Sequence, residues 1–136
     1  MSNVADIVEA DRNLTTMSAG LKASGLNVTL SKKGPFTVFA PNEIAFGKLD
    51  GMMMRGLLKP ESKEKLTELI SQHIVFGLEE SGELKDKQKL RTLNGRELTV
   101  TITDGKTKVN GAVLQGNNNT GQNGTVYSMD KVIQFK

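Results

Sequence analysis

The stretch Gly34-Pro35-Phe36-Thr37-Val38-Phe39-Ala40-Pro41-Asn42 decides how the rest of the chain is read. Phe36, Val38 and Phe39 make a short run of β-formers held between punctuation residues. Gly34-Pro35 marks a turn, and a proline at the start of a strand is tolerated because no ladder hydrogen bond needs its missing N–H. Pro41 stops the strand, and its ring turns Ala40 away from helical dihedrals. Asn42 offers the side-chain acceptor of a helix N-cap, and Glu43 meets the favourable end of the helix dipole. The segment therefore predicts a turn, a buried strand, a sharp stop and a helix start. Its only hydroxyl is Thr37 and it carries no charge, so it reads as architecture.

Upstream, Val4, Ile7 and Val8 fall at helical spacing, and Leu14, Met17 and Leu21 resume it after Asp11-Arg12-Asn13. Gly25 supplies a helix stop, and Leu26, Val28 and Leu30 lead through Ser31-Lys32-Lys33 to the strand. Downstream, Ile44, Ala45, Phe46 and Leu49 predict a short helix ending near Asp50-Gly51. Met52-Met53-Met54 then sets flexible apolar side chains beside Leu57 and Leu58, either as gap-filling core or as an adaptable groove. The clearest helix starts at Pro60, with Glu61 beside it at the dipole's positive end. Leu66, Leu69, Ile70, His73 and Ile74 form one apolar stripe along it, and Gly77 ends the segment.

From Leu90 the pattern changes to period two. Leu98, Val100 and Ile102 alternate with Thr99, Thr101 and Thr103, as in a half-buried strand. Asn94-Gly95, Asp104-Gly105 and Asn110-Gly111 are spaced as hairpin turns, with Val109 and Ala112-Val113-Leu114 on the return strands. Gln115 to Gly124 reads as a polar loop, and Val126 to Phe135 as the last strand. Helices first and a meander afterwards predict an α+β fold.

The chain has 136 residues and reads as one domain, 1–136, large enough for its own core. Without cysteine, disulfide frameworks, thiolate catalysis and Cys-based zinc sites are excluded. A net charge of +3 and a pI near 9.2 add diffuse attraction to anionic surfaces. No apolar run is long enough to span a bilayer, so membrane insertion is not expected. Met1 to Asp6 lacks the basic start and apolar stretch of a signal peptide.

Gly34 to Pro41 with Ala45-Phe46 resembles the opening motif of the fasciclin domain family. Three later features match the family in order: Leu57-Leu58-Lys59-Pro60 leading to a helix that ends in His73; Thr92-Leu93-Asn94-Gly95 with Leu98, Val100 and Val109-Asn110-Gly111-Ala112 after it; and Asn123-Gly124 through Asp130, which follows the closing N-G-x-[IV]-H-x-[IV]-D element. The likeness runs from Val4 to Ile133. Four positions depart from the pattern. Gln72 stands where the family usually has tyrosine, and Tyr127 replaces the second histidine. Asn118 and Asn119 replace an Asp-Ile pair that some animal members use for integrin binding, so that route is not expected. The resemblance implies an α+β wedge of two packed β-sheets with a cluster of helices on one side. It also implies a non-catalytic, secreted or cell-surface adhesion module without a cofactor, acting as a monomer. A signal peptide would then have been removed or would lie outside this chain. The expected partners are a cell-surface or matrix protein or a polysaccharide. The motif residues Thr37, Val38, Phe39, Ala40, Pro41, His73, Asn123, Gly124, Tyr127 and Asp130 would be structural. Some family members carry apolar small molecules such as carotenoids, which is the alternative that Met52-Met53-Met54 supports.

The candidate chemistry is thin. His73 is the only imidazole, and on an apolar stripe with no nominated nucleophile it reads as a buried, hydrogen-bonded residue. One histidine without cysteine gives no transition-metal spacing, and no phosphate-cradling glycine motif occurs. Glu83 to Arg91 is rich in cations but lacks interleaved aromatics, so it reads as a solvated rim that can contact anionic polymers, not as a nucleic-acid site. Asn117, Asn118, Asn119 and Gln122 either present amides to sugars or protein partners, or simply connect strands. Sequons occur at Asn13, Asn27, Asn118 and Asn123.

Overall fold

In the computed structural model the described residues are 3–48, 55–77 and 84–133, with the side chains of 116–118 left aside. Helix α1 (Val4–Ala10) opens with a reciprocal cap: the Asn3 side chain accepts from the Asp6 amide, and the Asp6 carboxylate accepts from the Asn3 amide. A short 3-10 turn leads into α2 (Thr15–Ser24), which Gly25 stops in the left-handed conformation, and α3 (Leu26–Thr29) follows at once. Strand β1 (Phe36–Pro41) is buried at every position and gives way to α4 (Glu43–Gly47), capped by the Asn42 side chain as expected. Pro60–Ser62 forms a 3-10 entry to α5 (Lys63–Ser71).

Then come β2 (Ile74–Phe76), β3 (Lys89–Arg91), β4 (Glu97–Thr103), β5 (Lys106–Val109), β6 (Ala112–Gly121) and β7 (Gly124–Met129). They pair in the order β2-β1-β7-β6-β5-β4-β3, with β1 and β7 parallel and the other pairs antiparallel. The two end strands meet. Val75 bridges to Thr92, and the Leu93 amide donates to the Ile74 carbonyl at 2.9 Å. The two expected layers are thus two halves of one ladder, curled until its edges almost close, which leaves little open edge for a stray strand.

Successive residues of one strand point to opposite faces, so the sheet makes two cores. Phe36, Val38, Ala40, Ile74 and Val126 pack beneath Val4, Val8, Met17, Leu21, Leu66 and Ile70 of the helices. Phe39, Val75, Tyr127 and Met129 face the other way and meet Leu90, Leu98, Val100 and Val109 inside the curl. β1 has the helices on one face and the interior of the curl on the other, which explains its unbroken burial.

Three readings change. The apolar stripe that runs to Ile74 is not one helix: α5 ends at Ser71, His73 is buried just beyond it, and Ile74 starts β2. Gln115 to Gly121 is strand, not loop, because β7 supplies it with a ladder partner. The last strand ends at Met129, and Asp130 to Ile133 continue irregularly. Met52-Met53-Met54 lies outside the described residues, while Leu57 packs against the helical core.

Candidate binding site at the end of the β6–β7 hairpin

The asparagine-rich stretch departs from a regular ladder. Gln115 faces Ser128, but the next regular pair is Asn119 with Val126, so β6 carries two more residues than β7 over this span. Such a bulge bends a strand and re-aims its side chains. Pairing resumes at Thr120–Thr125 and Gly121–Gly124, around the turn Gln122-Asn123. Asn119 and Gln122 are exposed; the side chains of Asn117 and Asn118 lie outside the described set.

Asn123 does the opposite. Its side-chain oxygen accepts from the Val4 amide at 2.9 Å, and its amide nitrogen donates to the carbonyls of Leu30 at 2.6 Å and Lys32 at 2.8 Å. Its own carbonyl accepts from the Phe36 amide at 2.8 Å. One residue thus ties α1, the end of the α2–α3 segment and β1 to the hairpin. Only glycine fits next to it. Gly124 has φ +156°, and a Cβ there would stand 1.9 Å from the Phe36 carbonyl oxygen. The Asn123 sequon is consumed by these bonds, since the nitrogen a glycan needs is buried and committed.

Two open grooves flank the hairpin end. One, about 480 Å³, runs between α1 and β6 and is lined by Asp6, Asp11, Asn119 and Thr120 among others. The other, about 460 Å³, lies toward β1, between Lys32, Lys33 and Pro35 on one wall and Gln122 on the other. The exposed amides therefore stand between a rim with carboxylates and a rim with ammonium groups. That arrangement offers donors and acceptors to a polar partner.

The other motif residues are bound into the frame. The Thr37 hydroxyl donates to the Gly77 carbonyl at 3.0 Å. Val38 and Ala40 face the helices, Phe39 stacks on Tyr127 with ring centroids 5.4 Å apart, and Pro41 is buried at the end of β1. The Asp130 carboxylate accepts from the Val113 amide at 2.8 Å, and its carbonyl accepts from the Lys48 ammonium at 3.1 Å.

His73 is 1% exposed. Its Nδ1 lies 2.8 Å from the Leu69 carbonyl oxygen, which can only accept, so Nδ1 carries the proton. Its Nε2 accepts from the Ile133 amide at 2.8 Å, and its own carbonyl accepts from the Phe39 amide at 2.8 Å. The Gln72 side chain also donates to the Ile133 carbonyl, so Gln72 and His73 together hold the C-terminal segment. Burial pushes the His73 pKa down from 6.5 to about 4, against the opposing hydrogen bond to Leu69. A neutral ring with both nitrogens engaged by backbone is a strut, not a base.

Glu43 has a second role that its position in α4 does not announce. Helix α2 has no cap of its own. The Glu43 carboxylate serves instead: it accepts from the Thr15 hydroxyl, from the Thr16 hydroxyl at 2.9 Å and from the Thr16 amide at 3.0 Å. Partial burial would raise its pKa, but these bonds from Thr15 and Thr16 outweigh it and hold the carboxyl below its usual value. Thr15-Thr16 at a helix start was the available signal; the partner 27 and 28 residues away was not legible.

Among the described residues no cluster of three or more acidic, histidine or cysteine side chains is placed to hold a metal ion. No helix there is long and apolar enough to cross a membrane.

Comparison with known proteins gives a consistent result. The model of the fasciclin domain matches residues 12–135. The Synechocystis protein sll1483 is 34% identical over 130 residues, covering 96% of this chain and 72% of that protein. The immunogenic protein MPB70 of Mycobacterium bovis is 32% identical, covering 98% of this chain and 70% of its own length. Transforming growth factor-beta-induced protein ig-h3 from Sus scrofa is 28% identical over 134 residues, which make up 19% of that protein. Among solved structures, a FAS1 domain pair of the insect cell adhesion molecule fasciclin I superposes with a TM-score of 0.82 at 16% identity, over 98% of this chain and 51% of that one.

Proposed function

The chain belongs to the fasciclin domain family, and on that footing we propose that it is a non-catalytic adhesion module of the cell surface or extracellular matrix. Its contacts, to a surface protein or a polysaccharide, are made through the end of the β6–β7 hairpin. The observation that carries this reading is a division of labour among neighbouring polar residues. Asn123 is consumed by four hydrogen bonds to the frame, while Asn119 and Gln122 beside it stand exposed over the flanking grooves. A second support is the state of His73, the chain's only histidine, whose two ring nitrogens are engaged by backbone, which disfavours a histidine-based hydrolytic mechanism. The fasciclin I structure named above comes from a cell adhesion molecule, in keeping with this role.

The test is retention of the source organism's cells on surfaces coated with the purified protein, measured across a salt series. Retention that persists well above physiological ionic strength is expected, because short-range amide contacts outlast screening that weakens long-range charge attraction. Retention that disappears at modest salt, or never occurs, contradicts the proposal.

A further inference from the structure

The outer face of β3, β4 and β5 carries an ordered pattern that the hairpin site does not use. Leu98 and Val100 point into the curl, so Glu97, Thr99, Thr101 and Thr103 point outward along β4. The register fixes what stands beside them. Arg91 lies opposite Glu97 and Lys89 opposite Thr99 on one flank; Lys108 lies opposite Thr101 and Lys106 opposite Thr103 on the other. The Lys89 ammonium donates to the Thr99 hydroxyl at 2.8 Å, which confirms that the two share a face. Among the described residues, the ion pairs Lys22–Glu9 and Arg96–Glu68 include none of these four cations.

The cations therefore follow one another along β4, first on its β3 side and then on its β5 side, with threonine hydroxyls down the middle. From Glu97 to Thr103 the track extends about 20 Å at the usual rise per strand residue. Carboxylates border the pattern at Glu97, which Arg91 faces across the strands, and at Asp86, whose carboxylate is committed to the Ile102 amide at 2.9 Å.

We propose that this face binds a linear anionic polysaccharide, laid along β4 with its carboxylates on Lys89, Lys106 and Lys108 and its hydroxyls on Thr99, Thr101 and Thr103. Charge complementarity selects an anionic polymer, and a row of hydroxyls between the cations suits a sugar chain, which needs polar contacts between its charges. Stacking platforms for bases are lacking here: the outward side chains of β3, β4 and β5 include no aromatic. The surface is distinct from the hairpin end and does not depend on it.

Calorimetric titration of the intact protein with alginate, a linear polyuronate, tests the assignment, with dextran as the uncharged control. Alginate is expected to bind and dextran not. Lys106→Gln/Lys108→Gln should weaken alginate binding about tenfold, whereas Lys63→Gln/Lys65→Gln, which removes the same charge from α5, should leave it within about twofold. Thr101→Val keeps the charge and the strand and should still weaken binding several-fold, as loss of a hydroxyl contact requires. Equal losses from both lysine pairs would reduce the effect to net charge and overturn the track. So would no alginate binding by the wild type. Single-stranded DNA bound as tightly as alginate would overturn the polysaccharide assignment. Cell retention that survives while alginate binding fails would discard this track and leave the hairpin reading standing.

Discussion

Strands β1 and β4 face opposite circumstances, and their sequences differ accordingly. β1 has helices on one side and the interior of the curl on the other, and all six of its residues are buried. β4 has the curl on one side and solvent on the other, and it alternates Leu98 and Val100 with threonines until Ile102, which is partly exposed. Around β1, polar side chains tie distant elements to one another: the Asn123 side chain bonds to the backbone of Val4, Leu30 and Lys32, the His73 ring to that of Leu69 and Ile133, and the Thr37 hydroxyl of β1 itself to the Gly77 carbonyl. Around β4 the side-chain bonds come from residues near in sequence: the Asn110 side chain accepts from the Thr99 amide at 2.8 Å and the Asp86 carboxylate from the Ile102 amide at 2.9 Å, beside the ladder and its tight turns. Asp104-Gly105 and Asn110-Gly111 have positive φ at both residues, which matches the right-handed twist of the flanking strands. A strand with no solvent face can carry little besides structure. One with a free face can vary its outer residues at small cost to the fold, and the proposed polysaccharide track uses that freedom.

If that contrast is right, substitutions should rank by which strand they touch. The largest effect is expected from Phe39→Ala. The ring is fully buried and stacked on Tyr127, so its loss should destabilise the protein by about 3–5 kcal/mol in denaturant unfolding. A shift near zero would mean that the β1 side of the curl is not a packed core.

Acid should come next. The unfolded chain protonates His73 near pH 6.5, whereas the native one does so only near 4. Unfolding therefore takes up a proton between those values. Stability contributed by neutral His73 is complete above pH 6.5 and falls as the pH drops toward 4, by roughly 3 kcal/mol in all. His73→Gln should flatten that segment of the stability–pH profile while lowering stability at neutral pH. A wild-type profile already flat from pH 6.5 to 4 would show that the ring is not held neutral.

A smaller effect is expected at the cap of α2. Glu43→Gln keeps the shape and the acceptor oxygen but loses the charge, and should cost about 1 kcal/mol by thermal melting. On the outer face of β4, Thr101→Val should change stability by no more than about 0.5 kcal/mol. A large loss there would erase the distinction between the two strands.

The sequence shows β1 and β4 clearly because each has a simple environment. Pro35, Pro41 and Asn42 bound the first, and strict alternation marks the second. The turns at Asp104 and Asn110 were legible for the same reason, since each is a local device. What sequence could not show is pairing at a distance. Ile74-Val75-Phe76 is too short to stand out after a helix, and it becomes a strand only because β1 lies beside it. Gln115 to Gly121 reads as loop because asparagine and glycine disfavour strands, yet β7 pairs with most of it across a bulge. The parallel contact of β1 with β7 joins residues 88 apart in sequence, such as Phe36 and Gly124, and nothing local encodes it. At the candidate site, the motif named Asn123 and the loop composition named Asn119 and Gln122. The hydrogen bonds add which atoms Asn123 commits, to Val4, Leu30 and Lys32, partners that no local pattern names, while Asn119 and Gln122 are exposed.

The separation of frame from contact surface is best put to the test in a single double variant, Asn119→Ser/Gln122→Ser, with thermal melting and cell retention at high salt measured on the same preparation. The expected result is an unchanged melting curve with most of the retention lost. Retention equal to wild type from a protein that melts normally would contradict the assignment of adhesion to the hairpin end.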